Sequence, residues 1–305
     1  MNFDFQSIKV LVVGDLMIDN YIMGSSSRLS PEAPVPVIIP TRNYSIAGGA
    51  ANVAMNMSSL GAQVSCAGVI GDDLWGEKLL SILNKKGIDT TYIDKIKNFK
   101  TTLKQRIYSN NKQIARIDDE EILNQKCTFM DKKLNNYDVI ILSDYNKGVL
   151  TTGWFQKPKS ALVFLDPKES FANFNQCDII TPNINELKQL SGNNIISEED
   201  IKESCKIILN KYNLKYIIAK RGDKGITIIG DNDYVKHLKA KFVKTPDVTG
   251  AGDTVISSIS LAFAVTNDIE KSAEFAINAS ALAVSKPGTA TITIDEINNY
   301  INVNE

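Results

Sequence analysis

The chain has 305 residues, 43% hydrophobic and 23% charged, with a formal net charge of −1. That length can bury a full core and fits one large α/β domain, while the balanced charge gives no footprint for nucleic acid and no signature of disorder. Cys66, Cys127, Cys177 and Cys205 stand far apart and His237 is the only histidine, so free thiols and no zinc cluster are expected.

The N-terminus carries Asp4 and no apolar run behind a basic segment, and no stretch is long and apolar enough to span a bilayer, so the expected location is cytoplasmic with no membrane contact. Ile8 to Val13, a β-branched and leucine run stopped by Gly14, predicts a strand buried on both faces of a parallel sheet. Pro34 to Pro40 is apolar and proline-bounded, and reads as part of an inserted β element. Ala47 to Asn52 opens a small-residue helix, and Trp75, Leu79, Ile82 and Leu83 share one helical face ahead of Gly87. Thr101 to Asp118 predicts two strands around a Ser109-Asn110-Asn111 turn. The lysine-rich stretch from Lys95 to Lys112 is interrupted by Phe99, Leu103, Ile107 and Tyr108, which suits strands with a polar face better than a nucleic-acid tail.

Four more strands follow: Val139 to Leu142, Leu162 to Leu165, Ile179-Ile180 and Tyr216 to Ala219. Each runs into polar or glycine residues, where open α/β sheets place ligands. Glu198 to Tyr212 predicts a helix capped by Ser197. His237 falls in a short polar strand and is expected to be structural or at the surface. The expected fold class is α/β, with a mostly parallel central sheet and helices on both faces. The two interrupting stretches, about 20–42 and 100–118, are expected to form a small β lid within a single domain spanning 1–305.

Chemistry concentrates in Asp247-Val248-Thr249-Gly250-Ala251-Gly252-Asp253, followed by the apolar stretch Thr254 to Val265. Small residues ahead of a helix let N–H groups approach an anion, and the helix dipole favours negative charge there. Asp253 in the first turn is placed to accept a proton from a hydroxyl attacking a phosphoryl group. A plain helix cap behind a glycine turn fits the same residues. Gly48 and Gly49 let a ligand lie against the backbone, with Asn52 offering donor and acceptor to a polyol, although tight helix packing also asks for small residues.

Asn183-Ile184-Asn185-Glu186 sets an oxygen ligand and a carboxylate one turn apart. This suits hydrated Mg²⁺ on nucleotide phosphates or, equally, a capping arrangement. Lys220-Arg221-Gly222-Asp223-Lys224-Gly225 is a hairpin or the edge of a nucleotide pocket. Gly71 to Lys78 has Glu77 where a P-loop needs lysine, and Gly14-Asp15-Leu16-Met17 lacks the dinucleotide fingerprint, which ranks a dehydrogenase last.

The order Gly-Gly-Ala-Ala-Asn, Asn-x-x-Glu, Thr-Gly-Ala-Gly-Asp resembles the PfkB or ribokinase family of carbohydrate kinases over nearly the whole chain. The resemblance implies a ribokinase-like fold using ATP and Mg²⁺, with a monovalent cation left open. It implies Asp253 as catalytic base, an anion hole of Gly250, Ala251 and Gly252, and Asn183 and Glu186 organising the metal through water or phosphate. Thr249, Lys220, Gly222, Gly225 and Asn278 fall on the ATP side. Asp19, Gly49 and Asn52 match sugar-holding positions, with Asp15 and Gly48 beside them. A homodimer through the lid is implied too.

Gly14-Asp15-Leu16-Met17-Ile18-Asp19, Ser27 to Val37, Ser143-Asp144-Tyr145-Asn146-Lys147-Gly148 and Asp166-Pro167-Lys168 look like the kinases of lipopolysaccharide heptose synthesis. Those act on O1 of D-glycero-D-manno-heptose 7-phosphate. A substrate already phosphorylated needs cations, and Arg28, Lys104, Arg106, Arg116, Lys147 and Lys168 are the candidates, Arg106 first. Between Leu150 and Ala161 there is only a short crossover containing Gly153 and Pro158, where the family usually has a longer helix. The bifunctional heptose enzymes continue into a nucleotidyltransferase domain, whereas this sequence stops at Glu305, as a stand-alone kinase or one part of a longer protein. The other readings are the same chemistry on another sugar or sugar phosphate, and a sugar-binding protein without catalysis. The intact Asp253 loop argues against the last.

Overall fold

Alternation of side chains along β-branched strands organises the molecule. The computed structural model describes residues 3–132, 134–150, 154–168, 174–244 and 247–304. The first half holds β1 (Lys9–Gly14), β2 (Leu16–Ser25), β3 (Ile39–Gly49), α1 (Ala50–Ser59), β4 (Gln63–Gly71), α2 (Leu74–Lys85), β5 (Asp89–Ile96), β6 (Thr102–Ser109) and β7 (Lys112–Asp119). The second half holds β8 (Val139–Ser143), β9 (Leu162–Asp166), β10 (Ile179–Ile180), α3 (Ile184–Ser191), α4 (Glu198–Tyr212) and β11 (Tyr216–Lys220). It closes with β12 (Ile226–Gly230), β13 (Val235–Leu238), α5 (Ala251–Thr266), α6 (Ile269–Val284) and α7 (Ile294–Asn304).

Nine strands form the central sheet in the order β13-β12-β11-β10-β9-β8-β1-β4-β5. β5 to β11 run parallel across that order, and β12 and β13 add an antiparallel edge. Val10, Val12, Val139 and Ile141 point into one apolar layer with Ala50, Val53, Ile256 and Ile259 of α1 and α5. Leu11, Val13, Ile140 and Leu142 point into the opposite layer with Leu187 and Ile208 of α3 and α4. A parallel sheet covered on both faces needs such uniformly apolar strands. β4 opens on Gln63 and Ser65 and β5 on Asp89, Thr90 and Thr91, and pairing, β4 beside β1 and β5 beside β4, sets them in the sheet.

A second, four-stranded sheet has the order β3-β2-β6-β7. Its hairpin closes through Asn110 and Asn111 at φ 50° and 63°, the left-handed pair that a two-residue turn between twisted strands requires. This sheet extends beyond the expected segments. β2 begins at Leu16, and β3 runs from Ile39 to Gly49, so Gly48 and Gly49 end a strand before α1 starts. Of the proline-bounded stretch only Ile39 and Pro40 join β3, and Pro36 contributes one isolated bridge to Leu29, because prolines lack the donor a ladder needs.

Gly153 lies outside the described residues. Among the described residues between Leu150 and Ala161 there is no helix, and Phe155 is buried in the second layer while Trp154 Nε1 donates to Val149 O at 2.8 Å. All four cysteines are free and buried. His237 sits on edge strand β13, its Nδ1 2.8 Å from Thr227 Oγ1. Among the described residues no helix is long and apolar enough to cross a membrane.

The close approach of β1 and β8 gives a stability test. A Cβ on Gly14 would lie 2.0 Å from Ser143 O, a backbone atom that cannot swing away. Gly14→Ala is expected to cost about 1–3 kcal/mol from overpacking, seen as a lower urea midpoint with unchanged slope.

Candidate active site

Two helix N-termini meet above the sheet. Gly250, at φ 75°, turns the chain into α5, and Gly49, at φ 55°, turns it into α1. A Cβ on Gly250 would press on Asn52 Nδ2 at 3.0 Å and Thr289 Cγ2 at 2.9 Å, so glycine is needed for space as well as for its dihedral. The helices are tied where they cross: Ser257 Oγ donates to Val53 O at 3.3 Å, and Thr254 Oγ1 to Asn56 Oδ1 at 3.4 Å. This crossing brings Asn52 against Asp253.

Asn52 Nδ2 donates to Asp253 Oδ2 at 2.6 Å, and the Tyr145 hydroxyl donates to Oδ1 at 2.7 Å. Asp253 is only 8% exposed. Burial pushes its carboxyl up to about 6, against the two donors and Lys220 and with help from the charge of Asp166. A carboxylate so placed is ionised at neutral pH and basic enough to take a proton from a hydroxyl.

Beneath the loop, Lys220 at the end of β11 reaches Asp166 Oδ1 at the end of β9, 2.5 Å away, and Thr181 Oγ1 donates to the same oxygen at 2.8 Å. A Cβ on Gly252 would meet nothing nearer than Lys220 Nζ at 3.4 Å, so the ammonium lies beside an open position at the start of α5. Burial works to lower the Lys220 pKa, but Asp166 and Glu186 hold it above the ordinary lysine value. The site thus pairs a base with a fixed cation next to helix N–H groups, an arrangement suited to a transferring phosphoryl group.

Asn183 and Glu186 form a reciprocal capping box on α3: Asn183 Oδ1 accepts from Glu186 N at 2.9 Å, and Glu186 Oε2 accepts from Asn183 N at 2.7 Å. This engages the Asn183 oxygen expected to face a metal and leaves Glu186 Oε1, 3.5 Å from Lys168 Nζ. Burial raises the Glu186 pKa despite Lys220. Among the described residues no cluster of three or more His, Cys, Asp or Glu could hold a metal. The set fits Mg²⁺ carried on nucleotide phosphates, which keeps its waters and takes few protein ligands.

Thr249 N donates to Asp247 Oδ1 at 3.1 Å, and Gly288 N to Oδ2 at 2.7 Å, which pins the loop ahead of Gly250. Gly222 and Gly225, at φ 63° and 89°, shape the turn after Lys220. Asn278 lies on α6, its amide donating to Glu274 O at 2.9 Å, with no described hydrogen bond to Asp253 or Lys220.

On the side of the second sheet, Asp19 of β2 forms an ion pair with Arg106 of β6, whose guanidinium also lies 5.4 Å from the Tyr21 ring centroid. A Cβ on Gly48 would come within 2.8 Å of Asp19 Oδ2, so the missing side chain opens space beside that carboxylate. The other expected cations are matched by acids: Lys104 with Asp118 and Glu120, Arg116 with Asp118, Lys147 with Glu120, Lys168 with Glu186. Arg28 is exposed in the connection between β2 and β3.

Asp15, expected on the sugar side, is tied to the backbone of a neighbouring loop. Its carboxylate accepts N–H bonds from Tyr145 at 2.8 Å, Lys147 at 3.0 Å and Val149 at 3.1 Å, which commits it to the loop after β8. Tyr145, Asp166 and Thr181 join the site without having been expected there. Their one signal in the sequence is position, since each follows or ends a strand at its carboxyl edge.

Residues 7–296 match the profile of the pfkB family of carbohydrate kinases. The bifunctional protein HldE of Shewanella sediminis is 36% identical over 310 residues, covering 98% of this chain and 65% of that protein. The chain spans about two thirds of the length of the curated relatives it matches. Among solved structures, an Arabidopsis thaliana ribokinase complexed with ribose and ATP superposes with a TM-score of 0.73 at 20% identity, covering 96% of this chain and 98% of that one. Phosphofructokinase-2 from Escherichia coli in complex with potassium reaches 0.79 at 19% identity, covering 98% and 99%. The fold is therefore ribokinase-like.

The Lys220–Asp166 pair can be tested by unfolding alone. Lys220→Met leaves the partly buried Asp166 without its cation and is expected to cost up to about 3 kcal/mol in urea denaturation. Adding Asp166→Leu should recover much of that loss.

Proposed function

The chain belongs to the pfkB family of carbohydrate kinases and is an ATP-dependent sugar kinase, and from that premise we propose that its acceptor is O1 of D-glycero-D-manno-heptose 7-phosphate. The product is the 1,7-bisphosphate, for ADP-heptose and lipopolysaccharide core synthesis. The observation that carries the phosphoryl-transfer chemistry is the buried Asp253, flanked by two donors and facing the Lys220 ammonium beside Gly252. The heptose assignment is supported by the HldE relatives and by the segments around Asp15–Asp19, Ser27–Val37, Ser143–Gly148 and Asp166–Lys168.

In this reading Asp253 accepts the proton of the sugar hydroxyl as that oxygen bonds to the γ-phosphorus and the bond from phosphorus to the departing ADP oxygen breaks. The N–H groups of Gly250, Ala251 and Gly252 and the Lys220 ammonium neutralise charge on the phosphoryl oxygens. Glu186 would hold Mg²⁺ through water or phosphate, and the bound ion supplies further neutralisation of phosphate charge. Asp19, Gly48, Gly49 and Asn52 line the sugar side. Arg106 is the foremost cation for the 7-phosphate, and binding there would exchange its pairing with Asp19 for a bidentate phosphate contact. The lid closes over the sugar and excludes water. Its exposed Ile39, Ile114 and Ile117 offer apolar surface for a homodimer, and the enzyme acts in the cytoplasm.

ADP release should be measured with Mg²⁺ on heptose 7-phosphate and on a panel of other sugars and sugar phosphates. Turnover confined to the heptose phosphate is expected, and turnover on another sugar alone would discard the heptose while keeping the kinase. Asp253→Asn should lower kcat by about 10²–10⁴-fold while ATP still binds. Because the base works only when deprotonated, kcat/KM of the native chain should fall with unit slope below about pH 6.

A further inference from the structure

We propose that Tyr145 is a positioning residue for phosphoryl transfer: held by the Asp15 clamp, its hydroxyl fixes the carboxylate of Asp253 for proton acceptance. The proposal rests on Asp253 being the base.

Tyr145 lies in the loop after β8, whose backbone is over-determined. Three N–H groups of the loop, those of Tyr145, Lys147 and Val149, converge on the two oxygens of Asp15. Asp144 N donates to Asp166 O at 3.1 Å, and Asn146 N to Asp144 Oδ1 at 2.9 Å. Asn146 and Gly148 take left-handed dihedrals, φ 57° and 108°, and a Cβ on Gly148 would lie 2.2 Å from Leu123 O. Strained backbone of this kind persists only where its surroundings enforce it, and here the enforcement delivers one hydroxyl to one carboxylate oxygen.

A carboxylate has about four lone-pair sites. Asn52 takes one on Oδ2 and Tyr145 one on Oδ1, which stops rotation of the group and leaves each oxygen a lone pair for a sugar hydroxyl. The charged groups facing Asp253 are Asp166 and Lys220, of opposite sign and ion-paired to each other. Tyr145 is therefore one of two neutral donors favouring the ionised base. Burial and the neighbouring Asp253 push the Tyr145 hydroxyl well above its ordinary pKa, so it remains a donor across the working range.

Tyr145→Phe deletes the hydroxyl and keeps the ring. A hydrogen bond to a charged group corresponds to about one to two pH units, so the acid limb of kcat/KM should move upward from about pH 6 by about one unit. The rate deficit should be largest at low pH and shrink above the new limb, with KM for ATP unchanged. Titration of the Asp253 carboxyl carbon by NMR in the free enzyme should show the same upward move without reference to turnover. An acid limb and an Asp253 titration both left in place would overturn the proposal, as would a raised sugar KM with an unmoved limb, which marks a direct sugar contact instead. Asp253→Asn separates the two levels: if that variant keeps full activity and the native limb, the base assignment itself fails, whereas an inactive Asp253→Asn beside an unmoved Tyr145→Phe removes only the role of Tyr145.

Discussion

A carboxylate buried at the crossing of two helices is the constraint that the rest of this structure answers. Left alone in an apolar interior, Asp253 would become neutral, since desolvation of a charge costs far more than any single contact returns. The protein retains an ionisable carboxylate there by surrounding it with fixed dipoles. Asn52 arrives from the first turn of α1 and Tyr145 from the loop after β8, and Asp253 itself lies in the first turn of α5, where the helix dipole favours negative charge. Each donor comes from a different part of the chain. Small residues at Gly49, Ala50, Ala51, Gly250 and Ala251 are what allow those parts to come so close.

Charge around Lys220 follows the same logic with the signs reversed. Lys220 is a buried cation kept charged by Asp166 and Glu186, and its ammonium faces the open position beside Gly252. Asp166 meets both Lys220 and Thr181, so the lysine is held in place before any nucleotide binds. On the proposed reading, such preorganisation would place positive charge where negative charge develops, without a reorganisation cost during the reaction. The capping box on α3 serves an analogous purpose for Glu186, since one oxygen anchors the helix start and the other faces the cluster.

On the proposed reading the second sheet supplies discrimination. Its strands present Asp19, Arg106, Lys104 and Arg116 as ion pairs, so a phosphorylated sugar would meet cations already oriented by acids. Exchange of partners between Asp19 and a ligand phosphate would let a compact second sheet recognise an anionic substrate without an unpaired buried charge in the free enzyme.

Much of this was written locally. The apolar runs of β1, β8, β9 and β11 announce a buried parallel sheet, the Ser197 cap and the periodicity of α4 place that helix at Glu198–Tyr212, and the glycine pattern before Asp253 marks the turn into α5, because each depends on residues a few positions apart. β4 and β5 were not legible, since their mixed residues become strands only through pairing, β4 beside β1 and β5 beside β4. Asp15, which the resemblance set on the sugar side, holds the loop that carries Tyr145, a contact no local pattern announced, and Asn183 takes the capping arrangement that the sequence offered as one of two readings. Sequence by itself determined which residues could do chemistry: an acid behind glycines, a lysine at a strand end, an aspartate beside a lid. Only the tertiary structure decided which of them meet, because the hydrogen bonds of Asp253 span 201 residues to Asn52 and 108 to Tyr145, and no local pattern encodes a contact that exists only after the sheet and its helices have packed.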